Sequence, residues 1–124
     1  STSNPASVSQ AAATAALDGD QSVMEPMLEA FQERHDYVVA AFNDIPGVRC
    51  GESDGTFYAF ADFSEAIQNL DGVSNDVELG EYLLENAGVA LVPGSAFGTE
   101  GCMRASFATD MDTLKDALAR IKTA

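Results

Sequence analysis

The longest periodic pattern in the 124-residue chain begins at Met24 and ends before Pro46. Its members recur at three- and four-residue steps: Met24, Met27, Leu28, Phe31, His35, Val38, Val39 and Phe42. This spacing places all of these side chains on one face of an α-helix. Residues 22–25 match a capping box at its start, and residues 45–47 (Ile-Pro-Gly) end it. The pattern therefore predicts an amphipathic helix with one face packed against a core.

Shorter helical and extended segments surround this helix. Asn4 and Pro5 are suited to start an alanine-rich helix over residues 8–17, which follows the loop that begins at Ser1. The remaining predicted elements are an antiparallel hairpin (48–50 and 56–63), a polar surface connection (64–74), a helix capped by Asn75 and closed by Gly88, a buried strand (89–92), a turn (93–98), a strand (102–108) and a helix opened by Asp110. The order α-α-β-β-α-β-β-α predicts an α+β, two-layer domain over residues 1–124, with a small mixed or antiparallel sheet packed against helices.

The charge balance limits the partners of the chain. Twenty acidic residues against six basic ones give a formal charge of −14, which repels nucleic acid and anionic membrane surfaces. The same surplus is compatible with simple solubility or with a salty habitat. No apolar run approaches the ~20 residues of a membrane span. Cys50 and Cys102 are too few for a disulfide scaffold, so we expect both to be reduced and the protein to be cytoplasmic.

Most polar residues lack the spacing of a known site. His35 is the one histidine and lies on the apolar helix face, which favours a packing role over a metal-ligand role. The carboxylates do not match a calcium loop, so we expect no metal site. Gly94, Gly98 and Gly101 precede a strand rather than a helix, which argues against a phosphate loop.

Arg104 is the strongest candidate for a ligand contact. In the alternating strand, Met103 and Phe107 point to one face while Arg104 and Ser106 point to the other. A guanidinium on that second face, beside the glycine loop and near Phe57, is suited to bind a carboxylate through two parallel hydrogen bonds. The alternative is an ordinary surface ion pair with one of the many acids.

Five motifs in order give the whole chain a resemblance to a known family. They are Ser3-Asn4-Pro5 with the following helix, residues 31–38 (FQERHDYV), residues 55–58 (GTFY), residues 92–98 (VPGSAFG) and residues 103–108 (MRASFA). Together they resemble the C-terminal small domain of the class I/II, fold-type I aminotransferases that depend on pyridoxal phosphate, a group that includes aspartate aminotransferase.

The resemblance implies roles for individual residues. Arg104 matches the arginine that binds the α-carboxylate of the substrate, and Phe57 matches an aromatic position of the substrate pocket. Ser3 and Asn4 match a stretch near the dimer interface and the cofactor. The lysine that forms the Schiff base in the family matches neither Lys115 nor Lys122, which both fall on the last helix. We therefore expect no catalytic and no cofactor-binding residue in these 124 residues, which alone would be inactive.

The resemblance also implies a reaction for the longer parent enzyme. That enzyme would be a cytoplasmic homodimer that moves an amino group from an amino acid, with aspartate weakly favoured, to a 2-oxo acid, with pyridoxal phosphate as cofactor. Two alternatives remain open at this point. The chain could be a binding or interaction domain that kept the fold without catalysis, or part of a fold-type I enzyme with a different reaction, such as a decarboxylase or lyase.

Overall fold

A computed structural model describes residues 3–124 of the chain, so Ser1 and Thr2 of the expected N-terminal loop lie outside the described residues. The described chain divides into two compact units, one that ends at Ala30 and one from Phe31 to Ala124. The helices are α1 (Ser7–Asp18), α2 (Met24–Asn43), α3 (Ser64–Gln68), α4 (Asp76–Ala87) and α5 (Met111–Thr123). The strands are β1 (Arg49–Cys50), β2 (Tyr58–Asp62), β3 (Val92–Pro93) and β4 (Cys102–Ser106). No helix among the described residues combines the length and the apolar character needed to cross a bilayer.

Helix α1 confirms the predicted alanine-rich helix but has no buried residue. Its N-cap is Ala6, which has no capping side chain, so the prediction that Asn4 caps it is wrong. The Gln10 amide instead bonds the Pro5 carbonyl at 3.0 Å, which satisfies a backbone group near the start of the helix. This helix therefore depends on backbone bonding and local side-chain contacts rather than on burial.

Helix α2 confirms the predicted amphipathic helix, and its buried residues are His35, Val38, Val39 and Phe42. The first members of the pattern, Met24, Met27 and Leu28, are exposed. The core contribution of the helix therefore comes from its second half. There Phe42 is fully buried and meets Phe63 edge-on, with ring centroids 5.8 Å apart.

The four strands form one antiparallel sheet in the order β1-β2-β4-β3. The central pair runs from Tyr58 opposite Ser106 to Asp62 opposite Cys102. This arrangement confirms the hairpin predicted for the first two strands and the antiparallel alternative for the sheet. Because side chains alternate along a strand, one face of β2 and β4 is buried and the other is open.

Helices cover the buried face of the sheet and complete the two-layer fold. Helix α4 contacts α3, α5, β3 and β4. The core within residues 31–124 brings together side chains from α2, the sheet, α4 and α5, including Val38, Phe42, Ala61, Leu79, Leu83, Met103, Phe107, Leu114 and Leu118. The α+β, two-layer prediction is confirmed.

Two predicted segments differ from the structure. The polar connection 64–74 contains helix α3, whose Ile67 is buried. The close approach of this helix to Gly47 explains its position, because the Ala66 N–H donates to the Gly47 carbonyl and a Cβ on Gly47 would come within 2.9 Å of the Ala66 nitrogen. The strand predicted over residues 89–92 is reduced to Val92–Pro93, which are only half-buried, because β4 pairs with it at those two residues alone.

Candidate functional site on the open face of the sheet

Arg104 lies at the centre of the open face of the sheet. On β4, Met103 is fully buried and Ala105 is 8% exposed, whereas Arg104 is half-buried and Ser106 is exposed. The pairing places Arg104 between Phe60 of β2 and Val92 of β3. The predicted alternation is therefore confirmed, and the guanidinium points away from the core.

Two aromatic rings hold the guanidinium of Arg104. Its Cζ atom lies 4.1 Å from the ring centroid of Tyr58 and 4.6 Å from that of Phe97. Guanidinium groups stack favourably on aromatic faces because the ring quadrupole attracts the positive charge. The rings of these two residues therefore restrict the movement of the guanidinium.

No carboxylate within residues 3–124 forms an ion pair with Arg104, since the three ion pairs there involve His35, Arg120 and Lys122. Among the described residues, Arg104 therefore does not form the ordinary surface ion pair that was the alternative. An arginine has five N–H donors and no acceptor, so a guanidinium held only by ring faces retains its capacity for an anion. This unpaired cation in a chain with 20 acidic residues is the main chemical feature of the open face.

Further aromatic side chains extend the open face around Arg104. The Phe60 ring meets the Phe97 ring edge-on at 6.5 Å. Phe57 precedes β2, is 40% exposed and packs on Tyr58 with ring centroids 4.4 Å apart. Its backbone is fixed because the Phe107 N–H donates to the Phe57 carbonyl at 2.8 Å. Phe57 and Arg104 thus both contact the ring of Tyr58.

The turn after β3 confirms the predicted turn and carries Phe97. Residues Gly94–Phe97 form one turn of 3-10 helix. Gly94 is required there, because a Cβ would lie 2.3 Å from the Thr99 carbonyl oxygen and 2.8 Å from that of Cys102. The turn closes through a 2.9 Å bond from the Thr99 N–H to the Gly94 carbonyl. Close backbone packing therefore constrains the turn from which Phe97 projects.

Asp76 is a residue of this region that the sequence did not single out. Its carboxylate accepts the Ser95 N–H at 2.6 Å, and the residue is 2% exposed. Acidic residues are common in the first turn of a helix, so its position at the start of α4 gave no signal. Only the burial and the partner, 19 residues away, distinguish Asp76 from a routine helix-terminal acid.

Two groups at one end of β2 and β4 have perturbed acidities. Hydrogen bonds from the Ser64 hydroxyl and N–H lower the pKa of Asp62, with a smaller contribution from Arg49. Burial raises the pKa of the Cys102 thiol, and the negative charges of Asp62 and Asp76 raise it further. Cys102 is therefore held in the thiol form, which is a poor nucleophile.

His35 confirms the predicted packing role. It is 7% exposed and meets Phe107 edge-on at 6.0 Å. Its Nε2 accepts the Ser53 N–H at 3.0 Å, and its Nδ1 lies 3.0 Å from the carboxylate of Asp36. Within residues 3–124, no group of three or more histidine, cysteine or acidic side chains is arranged to hold a metal ion.

The lysines of the chain do not fit a Schiff base with pyridoxal phosphate near Arg104. Both lie on α5, where Lys122 is paired with Asp44 at 2.5 Å and Lys115 lies 5.7 Å from the ring of Tyr37. Neither contacts the aromatic cluster on the open face. The open face therefore holds the Arg104 guanidinium, while both lysines lie elsewhere, on α5.

Residues 1–121 match the model of the family described as aminotransferase class I and II. The chain belongs to this family.

Individual relatives show how much of a family member the chain covers. It is 54% identical over 126 residues to an aspartate/prephenate aminotransferase of Nitrosomonas europaea, covering 98% of this chain and 32% of that protein. It is 43% identical to an aspartate aminotransferase of Bacillus subtilis, covering 98% of this chain and 31% of that protein. The crystal structure of the aspartate aminotransferase of Rhizobium meliloti superposes with a TM-score of 0.90 at 41% identity, over 100% of this chain and 32% of that one. The chain thus spans about a third of the length of the relatives it matches.

Proposed function

We propose that residues 1–124 are the small domain of an aminotransferase and that Arg104 binds the α-carboxylate of its amino-acid and 2-oxo-acid substrates. The observation that carries this proposal is the guanidinium held between Tyr58 and Phe97 with no carboxylate of the described chain paired to it. An α-carboxylate is common to every substrate of such a reaction. A single fixed cation therefore serves both half-reactions.

The geometry suits orientation of a substrate. A planar guanidinium binds a carboxylate through two parallel N–H···O bonds and so fixes the direction of the ligand as well as its position. The rings of Tyr58 and Phe97 reduce the freedom of the guanidinium before the substrate arrives, which lowers the entropy lost on binding. Each charge-assisted hydrogen bond of this contact contributes roughly 1.5–3 kcal/mol. That is enough to shift a balanced equilibrium between open and closed arrangements of an enzyme by about one or two orders of magnitude.

The remaining features of the parent enzyme belong to the same proposal. Pyridoxal phosphate would supply the transfer chemistry and would be held by residues outside this chain, since Lys115 and Lys122 do not reach the open face. Phe57 would line the substrate pocket, at the outer edge of the aromatic cluster. The names of the relatives from Nitrosomonas europaea and Bacillus subtilis favour aspartate as amino donor. We further propose a homodimer in the cytoplasm.

Replacement of Arg104 by alanine in the full-length protein tests the proposal. We expect kcat/KM to fall by more than about tenfold for every amino-acid and 2-oxo-acid substrate, because all of them lose the same contact. Arg49→Ala, at an exposed position on the edge strand of the same sheet, is the matched control and should leave kcat/KM unchanged. Unchanged kcat/KM in Arg104→Ala would remove this residue from the site.

A second experiment addresses the alternative of a binding domain without catalysis. The mass of the natural protein shows whether these residues are produced as part of a longer chain. A natural product of about the 13.0 kDa of this sequence would favour the binding domain. A full-length protein that converts added amino acids to 2-oxo acids in the presence of pyridoxal phosphate would favour the aminotransferase.

A further inference from the structure

Asp76 is a buried acid that its own helix does not use as a cap. The first turn of α4 is capped by Asn75, whose side chain accepts the Glu78 N–H at 2.9 Å, while Glu78 accepts the Ser74 N–H at 2.7 Å. Asp76 instead directs its carboxylate to Ser95. Burial of a carboxylate is costly unless strong hydrogen bonds compensate. The hydrogen bond from Ser95 to Asp76 therefore does not cap α4 but joins the helix to the segment that contains Ser95.

The bond from Asp76 fixes the turn that carries Phe97. The Ser95 N–H donates to the carboxylate at 2.6 Å, which is short, as expected for a charged acceptor. The Ser95 carbonyl in turn accepts the Gly98 N–H at 3.1 Å, so both polar backbone groups of Ser95 are engaged. Phe97 lies between these two fixed residues. Its ring covers the Arg104 guanidinium at 4.6 Å.

We infer that Asp76 is a positioning residue for substrate binding, acting through the Gly94–Phe97 turn and the Phe97 ring to hold Arg104 in its carboxylate-binding orientation. The inference rests on the proposed role of Arg104. Asp76 itself touches neither the guanidinium nor the substrate. Loss of its carboxylate would release the turn and let Phe97 move off Arg104, while the Tyr58 ring would still contact the guanidinium from its own strand.

A double-mutant cycle between Asp76 and Phe97 in the full-length protein tests this inference. Asp76→Ala removes the acceptor of the Ser95 N–H, and Phe97→Leu keeps an apolar side chain and removes the ring. Because a cation–π contact at an exposed site has a modest energy, each variant should raise KM for the amino-acid substrate by about two- to fivefold, with kcat nearly unchanged. In the Phe97→Leu background, Asp76→Ala should have no further effect on KM.

The matched control is Asn75→Ala. It removes the cap of the same helix one residue away and should lower thermal stability without changing KM. If Asp76→Ala does not yield folded protein, Asp76→Ser replaces it in the same cycle. A rise in KM upon Phe97→Leu, together with coupling to the residue 76 variant, supports the inference.

Two outcomes would overturn the role of Asp76 and leave Arg104 in place. One is an unchanged KM in Asp76→Ala when Arg104→Ala has lowered kcat/KM. The other is an equal effect of Asp76→Ala in the wild-type and Phe97→Leu backgrounds, which would indicate a general structural role. If Arg104→Ala itself leaves kcat/KM unchanged, the proposed function fails first, and the inference fails with it.

Discussion

Replacement of Arg104 by lysine separates the charge of the side chain from its shape. Lysine keeps one positive charge on a flexible stem, but it has no planar fork and cannot present two parallel N–H bonds to a carboxylate. It also lacks the flat group that stacks between Tyr58 and Phe97 in the structure. A contact that required only positive charge would survive this change. A contact that required the fork and the two rings would not.

The expected loss follows from the contacts of the guanidinium. Loss of one of two charge-assisted hydrogen bonds costs about 1.5–3 kcal/mol. Poorer stacking against the rings of Tyr58 and Phe97 adds about 0.5–1 kcal/mol. The sum, about 2–4 kcal/mol, corresponds to a decrease in kcat/KM of about 30- to 1,000-fold.

Steady-state kinetics of the full-length protein with two amino donors and two 2-oxo acids measures this loss. Arg49→Lys is the matched control, because Arg49 is an exposed arginine on β1 of the same sheet. The loss should be similar for all four substrates, since they share only the α-carboxylate. If Arg104→Lys stays within about threefold of the wild type, charge alone is sufficient, and the reasoning from the fork and the two rings is wrong.

Three further predictions concern helix capping, acid stability and the histidine. Asn75→Ala should lower the free energy of unfolding by about 1 kcal/mol in urea titrations, because α4 loses its side-chain cap, and an unchanged midpoint would contradict that role. Hydrogen bonds from Ser64 lower the pKa of Asp62 in the folded protein. These bonds therefore stabilise the folded state fully above the ordinary aspartate pKa of 3.8, and their contribution decreases as the pH falls through the lowered pKa. The free energy of unfolding of Ser64→Ala should therefore be lower than that of the wild type at neutral pH, and this difference should become smaller in acid. A difference in the free energy of unfolding that does not depend on pH would exclude this linkage. Because the Ser53 N–H donates to Nε2 of His35, that nitrogen must accept and carries no proton. Nitrogen NMR at neutral pH should therefore find the ring proton on Nδ1, and a proton on Nε2 would contradict this contact.

The sequence was sufficient to predict the features of the site that depend on local periodicity. The two-residue alternation of β4 correctly placed Met103 in the core and Arg104 on the opposite face. The caps Asn75 and Asp110 were also predicted correctly, because each is a polar residue just before an amphipathic segment. The chemistry of the guanidinium suggested a carboxylate as the ligand of Arg104, and the family resemblance favoured this prediction over an ordinary surface ion pair.

The contacts that the sequence did not reveal are between distant segments. That Tyr58 and Phe97 flank Arg104 follows from the pairing of β2 with β4 and from the compact turn after β3. The same is true of the burial of Asp76 beside that turn. The short helix α3 was missed because its five residues show too little periodicity, and its anchor at Gly47 lies in another part of the chain.

The register between β2 and β4 links the assembly of the core to the assembly of the site. A slip of one residue along β4 would turn the thioether of Met103 toward solvent and drive the Arg104 guanidinium among apolar side chains, at the cost of burying an unpaired charge. The chain therefore has no stable misaligned state in which the core is intact but the cation is misplaced. Any molecule that completes this sheet correctly also presents the Arg104 guanidinium on the open face, so correct folding of the core and correct placement of the proposed carboxylate-binding group are one event.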